Sequence, residues 1–117
     1  MNLINTNDSG ATMKETSNES SVVRVKLDGD LTSTKNITFE ADMLSTIKET
    51  SPRNIIIDFG GVKMVDSFGI KGIFSINNAI KEIDGNLKLI NVSEDIYGLF
   101  KYMRMDTHMD IVKKNNE

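Results

Sequence analysis

Ser67 carries a hydroxyl group at a position where it could be chemically modified. It follows Asp66 directly and precedes an apolar run with helical spacing, so it falls where a helix should begin. A serine hydroxyl at such a place accepts a hydrogen bond from a backbone N–H two or three residues further on. The same place favours an added anion, because free N–H groups and the helix dipole both stabilise negative charge. Ser67 is therefore either a structural helix cap or a site of phosphorylation, which would add about −1.5 to −2 charges.

The residues around Ser67 predict a contact surface for another protein. Asp66 would add its negative charge to that of a phosphate and so sharpen repulsion of an acidic partner. One side of the following helix carries mostly small residues, namely Phe68, Gly72, Ser75 and Ala79. This ridge permits close approach by a partner, with Phe68 as an anchor, although it could equally pack under the protein's own loops. Gly69 and Gly72 each disfavour a helix by about 1 kcal/mol relative to Ala.

The remaining reactive side chains give weaker patterns. His108 is the single histidine and cysteine is absent, which excludes catalytic triads and makes a metal site a poor interpretation. His108 is better explained as a solvated loop residue. Ser67 has no candidate general base, so we expect a chain that is not an enzyme and needs no cofactor or metal.

Asp58 supports a lesser alternative, a receiver-like domain phosphorylated on aspartate. It lies at the end of an apolar strand, and Asp28 and Asp30 could mimic the acidic pair that such domains use to hold Mg²⁺. A well-placed Ser/Thr and Lys near the end of the chain are not evident.

Composition limits the classes of protein to consider. The 117 residues have room for one domain, and a hydrophobic content of 38% is enough for a core. The net charge is −3 with scattered lysines and arginines, which disfavours direct binding of nucleic acid. No stretch approaches the roughly 20 apolar residues of a membrane span, and no secretion signal is present. We expect a cytoplasmic protein that does not bind membranes.

The elements that must position Ser67 follow from periodicity. Residues 1–11 are polar and are predicted to be a flexible, disordered tail, so that the domain occupies residues 12–117. Strands are predicted at Ala11–Thr16 (a weak edge strand), Val22–Leu27, Asn54–Phe59, Leu87–Val92 and Met109–Val112. Helices are predicted from Phe39 to before Pro52, over Phe68–Ile83 and after the N-cap Ser93. Gly60 and Gly61 should break the third strand, whose continuous apolar run indicates burial on both faces. The alternation predicts an α/β domain with a mixed sheet and right-handed crossovers.

Several segments together resemble the STAS domain family. The strand Ile55–Phe59 and the following Asp66-Ser67-Phe68-Gly69-Ile70 are similar to its strand and Asp-Ser-(Ser/Thr)-Gly-(Leu/Ile)-Gly signature. Leu27–Leu31 looks like the first turn of the family, and Gly85–Leu89 with Asn91–Ser93 looks like its late strand and last helix start. The resemblance covers about residues 12–112 in the right order. Phe68, Lys71 and Thr32 depart from the residues that the family commonly has at their positions.

The resemblance implies an anti-sigma factor antagonist. In this family the unphosphorylated antagonist binds an anti-sigma factor, itself a serine kinase, which releases the sigma factor for transcription. The kinase then phosphorylates the antagonist, and a serine phosphatase resets it. Ser67 occupies the position of that serine. Partner contacts are expected from Asp66, Phe68, Gly69, Gly72, Asp28, Gly29, Asp30, Leu31 and Thr32. A scaffold or stressosome-like signalling module without a sigma-factor partner stays open as an alternative.

Overall fold

The computed structural model describes residues 2–6, 12–17 and 21–115, and these residues form one α/β domain. The strands are β1 (Asn2–Thr6), β2 (Thr12–Ser17), β3 (Val22–Asp28), β4 (Asn54–Gly61), β5 (Asn86–Val92) and β6 (Asp110–Lys113). The helices are α1 (Phe39–Thr50), α2 (Ser67–Glu82) and α3 (Glu94–Tyr102), followed by a short 3-10 helix at Met105–Thr107. The predicted order of strands and helices from residue 12 onward is confirmed.

The six strands lie side by side in chain order. β1, β2 and β3 pair antiparallel, whereas β3, β4, β5 and β6 pair parallel, each joined to the next by a helix. The sheet is therefore mixed, as predicted. With right-handed crossovers that all step in the same direction, the three helices are placed on one face of the sheet.

Burial along the strands agrees with a sheet covered on one face. In β3, Val23, Val25 and Leu27 are buried while Arg24 and Lys26 are exposed. In β4, the side chains of one face are fully buried but Ile56 on the other face is only half-buried. The prediction that this strand is buried on both faces is therefore wrong, because its two crossover helices lie on the same side.

The core fills the space between the covered face and the helices. Met43 and Ile47 of α1, and Ile73, Ile76 and Ile80 of α2, are buried against the sheet. On the side of α3, the rings of Phe59 and Phe100 meet edge to face, with centroids 5.8 Å apart, an arrangement that aromatic pairs favour. Ile83, predicted as the last residue of the second helix, is 38% exposed and lies one residue beyond the end of α2.

The N-terminal segment differs from the prediction in one respect. β2 is confirmed as a strand beside β3, but it is not at the edge of the sheet, since β1 pairs along its other side. β1 lies inside the segment predicted to be a tail. Residues 1 and 7–11 of that segment lie outside the described residues, so the predicted flexibility stays a prediction. Ala11, predicted as the start of the second strand, is also outside them.

The helices of the described residues include none that is both long and apolar enough to cross a membrane.

Candidate functional site

Ser67 lies at the edge of the sheet formed by the carboxyl ends of β3 and β4, where open α/β sheets usually place their sites. Two loops meet there, residues 29–38 after β3 and residues 62–66 after β4. The Leu31 N–H donates to the Met64 carbonyl at 3.0 Å, and the Asp66 N–H donates to the Leu31 carbonyl at 3.3 Å. These bonds form a short parallel bridge between Leu31 and Val65, which are both buried. The two loops are therefore one packed unit.

The close contact of the two loops begins at glycine positions. β4 continues through Gly61, which pairs with Asp28, so the predicted break at Gly60 and Gly61 is wrong. A Cβ on Gly61 would lie 2.9 Å from the Leu27 carbonyl oxygen, so only glycine allows this approach. Gly29 has a φ of 111°, a conformation that glycine alone adopts without strain. Its N–H donates to the Gly61 carbonyl at 3.2 Å.

The carboxylate of Asp30 fixes the second loop. One oxygen, Oδ1, accepts hydrogen bonds from the backbone N–H groups of Lys63 and Met64, both at 3.0 Å. The Asp30 carbonyl in turn accepts from the Asn36 side-chain amide at 2.8 Å. Asp30 was predicted to contact a partner, and the structure gives its carboxylate a role inside the chain.

Asp66, and not Ser67, is the N-cap of α2. Its Oδ1 accepts a hydrogen bond from the Gly69 N–H at 3.0 Å, in the position where a cap side chain is expected. Its Oδ2 accepts from the Ser33 N–H, also at 3.0 Å. The prediction that the Ser67 hydroxyl caps the helix is wrong because Asp66 has the extended backbone of a cap residue and α2 starts at Ser67. A carboxylate also complements the positive end of the helix dipole.

These contacts lower the pKa of Asp66. The hydrogen bond from the Ser33 backbone N–H is the largest cause, and partial desolvation opposes it. Further hydrogen bonds from the Gly69 and Phe68 N–H groups and from the Ser33 side chain lower the pKa again. Asp66 therefore carries a full negative charge at neutral pH, directly beside Ser67.

Ser67 itself is exposed on the surface, in the first turn of α2. Because Asp66 caps the helix, the hydroxyl of Ser67 is not needed to hold the backbone. An enzyme could therefore modify this oxygen without removing the cap of α2.

Large apolar side chains are exposed near Ser67. Phe68 is 37% exposed, as expected of an anchor, and Met64 and Ile37 are 59% and 53% exposed. Both lie in the loops that Asp30 holds together. The backbone N–H of Met64 donates to Asp30, and so does the side chain of Asn36, which precedes Ile37. Met64 and Ile37 were not among the residues predicted from the sequence to contact a partner. Each is an apolar residue in a predicted loop, outside the hydrophobic pattern of any helix or strand, and this is the feature of the sequence that could have identified them.

The predicted ridge of small residues is covered in part by the chain itself. Gly69 is buried, and a Cβ at this position would overlap the Leu31 carbonyl oxygen. Gly72 is buried beside Glu40 of α1, whose Cβ would lie 3.4 Å from an added Cβ. Ser75 and Ala79 are half-buried. At both glycines the ridge therefore packs against the chain's own residues and is not free for a partner.

The predicted residues after β3 share the edge on which Ser67 lies, but they differ in exposure. Asp28 is exposed and Gly29 is half-buried. Leu31 and Thr32 are 2% and 7% exposed. Leu31 therefore supports the loops from beneath, and the exposed end of this turn is Asp28.

Asp58 and His108 lie apart from this site. The Oδ1 atom of Asp58 accepts hydrogen bonds from the Gly60 N–H at 2.8 Å and the Asn91 side chain at 3.1 Å. The ring of His108 lies 5.7 Å from that of Phe74, between centroids. In the described ranges no group of three or more His, Cys, Asp or Glu side chains is arranged to hold a metal ion.

Comparison with known proteins identifies the fold. The family model of the STAS domain matches residues 13–116, and no curated protein matches the chain. A Thermotoga maritima protein assigned as an anti-sigma factor antagonist is 17% identical, with a TM-score of 0.76 over 86% of this chain and 84% of its own.

Two further solved proteins share the fold in different contexts. The anti-sigma factor antagonist SpoIIAA in its unphosphorylated form is 18% identical, with a TM-score of 0.70 over 91% of this chain and 90% of its own. The phosphorylated form, from Bacillus, is 20% identical, with a TM-score of 0.68 over 86% and 90%. The murine anion transporter Slc26a9 is 14% identical, with a TM-score of 0.68 over 90% of this chain but 20% of its own. At these identities the likeness concerns the fold.

Proposed function

The chain belongs to the STAS domain family, and from that premise we propose that it is an anti-sigma factor antagonist controlled by phosphorylation of Ser67. The observation that carries this proposal is the division of roles at the start of α2. Asp66 holds the helix cap through the Gly69 N–H, and Ser67 beside it is exposed. A kinase can then add a phosphate to the serine while the fold keeps its cap.

The proposed partner is an anti-sigma factor that is also a serine kinase. It binds the unphosphorylated chain, which frees a sigma factor for transcription, and a serine phosphatase restores the chain after phosphorylation. The exposed apolar side chains of Phe68, Met64 and Ile37 support a surface that a protein partner would cover. Asp28 lies on the same edge of the sheet. Gly69 contributes indirectly, because it lets Leu31 lie close to α2, and Gly72 is buried beside Glu40.

Phosphorylation would oppose binding for two physical reasons. The phosphate adds about −1.5 to −2 charges next to the ionised Asp66, so an acidic group of the partner is repelled. It also lies beside Phe68, where a close apolar contact would have to desolvate the dianion at high cost. In this scheme the chain acts as a substrate and a ligand in the cytoplasm, not as an enzyme, and it does not contact DNA or membranes.

The test uses a serine kinase of the anti-sigma type from the same genome, with Mg-ATP. Mass spectrometry should detect an increase of about 80 Da, the mass of one phosphoryl group, located on Ser67 by fragmentation. The Ser67→Ala variant should stay unmodified. Ser45→Ala is the matched control, since Ser45 is an exposed serine on α1, and it should be phosphorylated like the wild type. Equal phosphate incorporation into Ser67→Ala would show that the site is wrong.

Binding separates the switch from a second candidate function, a STAS interaction module that works independently of phosphorylation. The match to part of a much longer transporter chain supports that candidate, since there the fold is one segment of a larger protein. For a switch, Ser67→Asp should weaken binding of the anti-sigma factor at least tenfold, about 1.4 kcal/mol, while Ser67→Ala binds like the wild type. An interaction module would bind its partner equally well with either variant.

A further inference from the structure

One of the two lysines of α2, Lys71, is placed to bind a phosphate on Ser67. Lys71 lies four residues after Ser67 in the same helix, and its side chain is 71% exposed. Its Nζ is 3.7 Å from Oε1 of Glu40, whose side chain is 21% exposed. Building on the proposed function, we propose that Lys71 exchanges Glu40 for the phosphate when Ser67 is phosphorylated, and so holds the phosphate on α2.

The spacing brings the two side chains together. Residues four apart in a helix are neighbours on its surface, with Cβ atoms about 5–6 Å apart. The order is the favourable one, with the anion toward the N-terminus and the lysine toward the C-terminus. Ser67 is in the first turn of α2, where the helix dipole also favours the negative charge.

The present ion pair is weak enough to be exchanged. A distance of 3.7 Å and a largely exposed lysine describe a surface pair, which typically contributes little because solvent screens it. The phosphate carries about −1.5 to −2 charges against −1 for Glu40. Hydrogen bonds between an ammonium group and a phosphate oxygen are also among the stronger charge-assisted ones.

The exchange would change the surface beyond the phosphate itself. Glu40 covers Gly72, with its Cβ 3.4 Å from an added Cβ at that glycine, so it lies one turn along α2 from Phe68. Without Lys71 as its partner, the Glu40 carboxylate presents a separate negative charge beside Gly72, while Lys71 offsets part of the charge of the phosphate. Lys71 would therefore stabilise the dianionic phosphate on α2 and shift the position of the negative charge on this surface toward Glu40.

The experiment titrates the phosphate directly. Phosphoserine is inserted at position 67 during translation, so that no kinase is needed, and the second ionisation of the phosphate, with a pKa of about 6, is followed by phosphorus NMR. A lysine that pairs with the dianion favours the deprotonated phosphate. The phosphate pKa should therefore be about 0.2 to 0.4 lower in the protein with Lys71 than in the Lys71→Gln variant. Lys71→Arg should retain the lower value.

The matched control is Lys81→Gln, which removes the same charge from an exposed lysine of the same helix. Lys81 lies ten residues beyond Lys71, about 15 Å along the axis, and its loss should leave the phosphate pKa as in the wild type. Equal values in Lys71→Gln and Lys81→Gln would overturn the proposal. Because the phosphate is installed without a kinase, that result would leave the proposed function standing, and a failed kinase reaction would leave this measurement unaffected.

Discussion

Replacing Gly69 by alanine tests whether the loop after β3 is packed on α2 as described. A Cβ at Gly69 would overlap the Leu31 carbonyl oxygen and lie 3.0 Å from both Leu31 Cγ and Val65 Cγ1. The obstructing oxygen belongs to the backbone and already accepts a hydrogen bond from the Asp66 N–H. The loop can therefore make room only by moving the contact that joins the two loops.

Two opposing effects decide how much Gly69→Ala changes the free energy of unfolding. Alanine gains up to about 1 kcal/mol over glycine in a helix, whereas overpacking a buried site costs about 1–3 kcal/mol. The gain is smaller than usual here, since Gly69 lies in the first turn of α2. We expect Gly69→Ala to lower the free energy of unfolding by about 1–2 kcal/mol. With a urea dependence of about 1.5 kcal/mol per molar, the unfolding midpoint falls by roughly 1 M.

Two other helical glycines serve as matched controls in the same urea titration. A Cβ at Gly98 in α3 meets nothing within 4 Å, so Gly98→Ala should raise stability by up to about 1 kcal/mol. At Gly72 the nearest atom is Glu40 Cβ at 3.4 Å, an ordinary contact, and Gly72→Ala should be neutral or slightly stabilising. If Gly69→Ala stabilises the protein as Gly98→Ala does, Leu31 does not pack on α2, and the description of the site is wrong.

Two further predictions concern single polar groups. Because hydrogen bonds lower the pKa of Asp66, its contribution to stability should be present above about pH 4 and be lost as the pH falls through the lowered value. The difference in urea midpoint between wild type and Asp66→Asn should therefore shrink on acidification, and a difference that is constant down to pH 2 would contradict this. Asn77 of α2 is 4% exposed, and its Oδ1 has no hydrogen-bond partner within the described part of the chain. Asn77→Leu keeps the branched shape and removes the unpaired oxygen, so it should raise the free energy of unfolding by about 1 kcal/mol, whereas a loss of stability would indicate that the amide makes a stabilising contact or that the larger leucine does not fit.

From residue 12 onward the order of strands and helices could be predicted from the sequence because hydrophobic periodicity is a local pattern. The alternation in β3 and the spacing of isoleucines in α2 identify a strand and a helix without knowledge of the rest of the chain. The one-sided sheet was harder to predict. Ile55, Ile56 and Ile57 form a continuous apolar run, yet the position of the helices decides which of them is fully buried.

The site was predictable in its place but not in its details. Asp66 and Ser67 are both good cap residues, and the sequence alone does not rank them. The choice depends on Ser33, which lies 33 residues earlier and donates its backbone N–H to Asp66. The burial of Gly69 likewise depends on Leu31. Contacts between residues so distant in the chain have no local pattern, so the assignment of the cap required the structure.

The assignment of the cap to Asp66 changes what a phosphate on Ser67 can do. If Ser67 were the cap, its modification would disturb the first turn of α2, and the switch would act partly by loosening the fold. Instead, the carboxylate of Asp66 holds both the helix and the loop at Ser33, while Ser67 lies outside this network on the surface. The phosphate is then expected to act through charge, on the partner and on Lys71, rather than through unfolding. The packing of the two loops matters for the same effect. If the loops keep the exposed side chains of Phe68 and Met64 in place, the added charge alone decides whether a partner binds this surface.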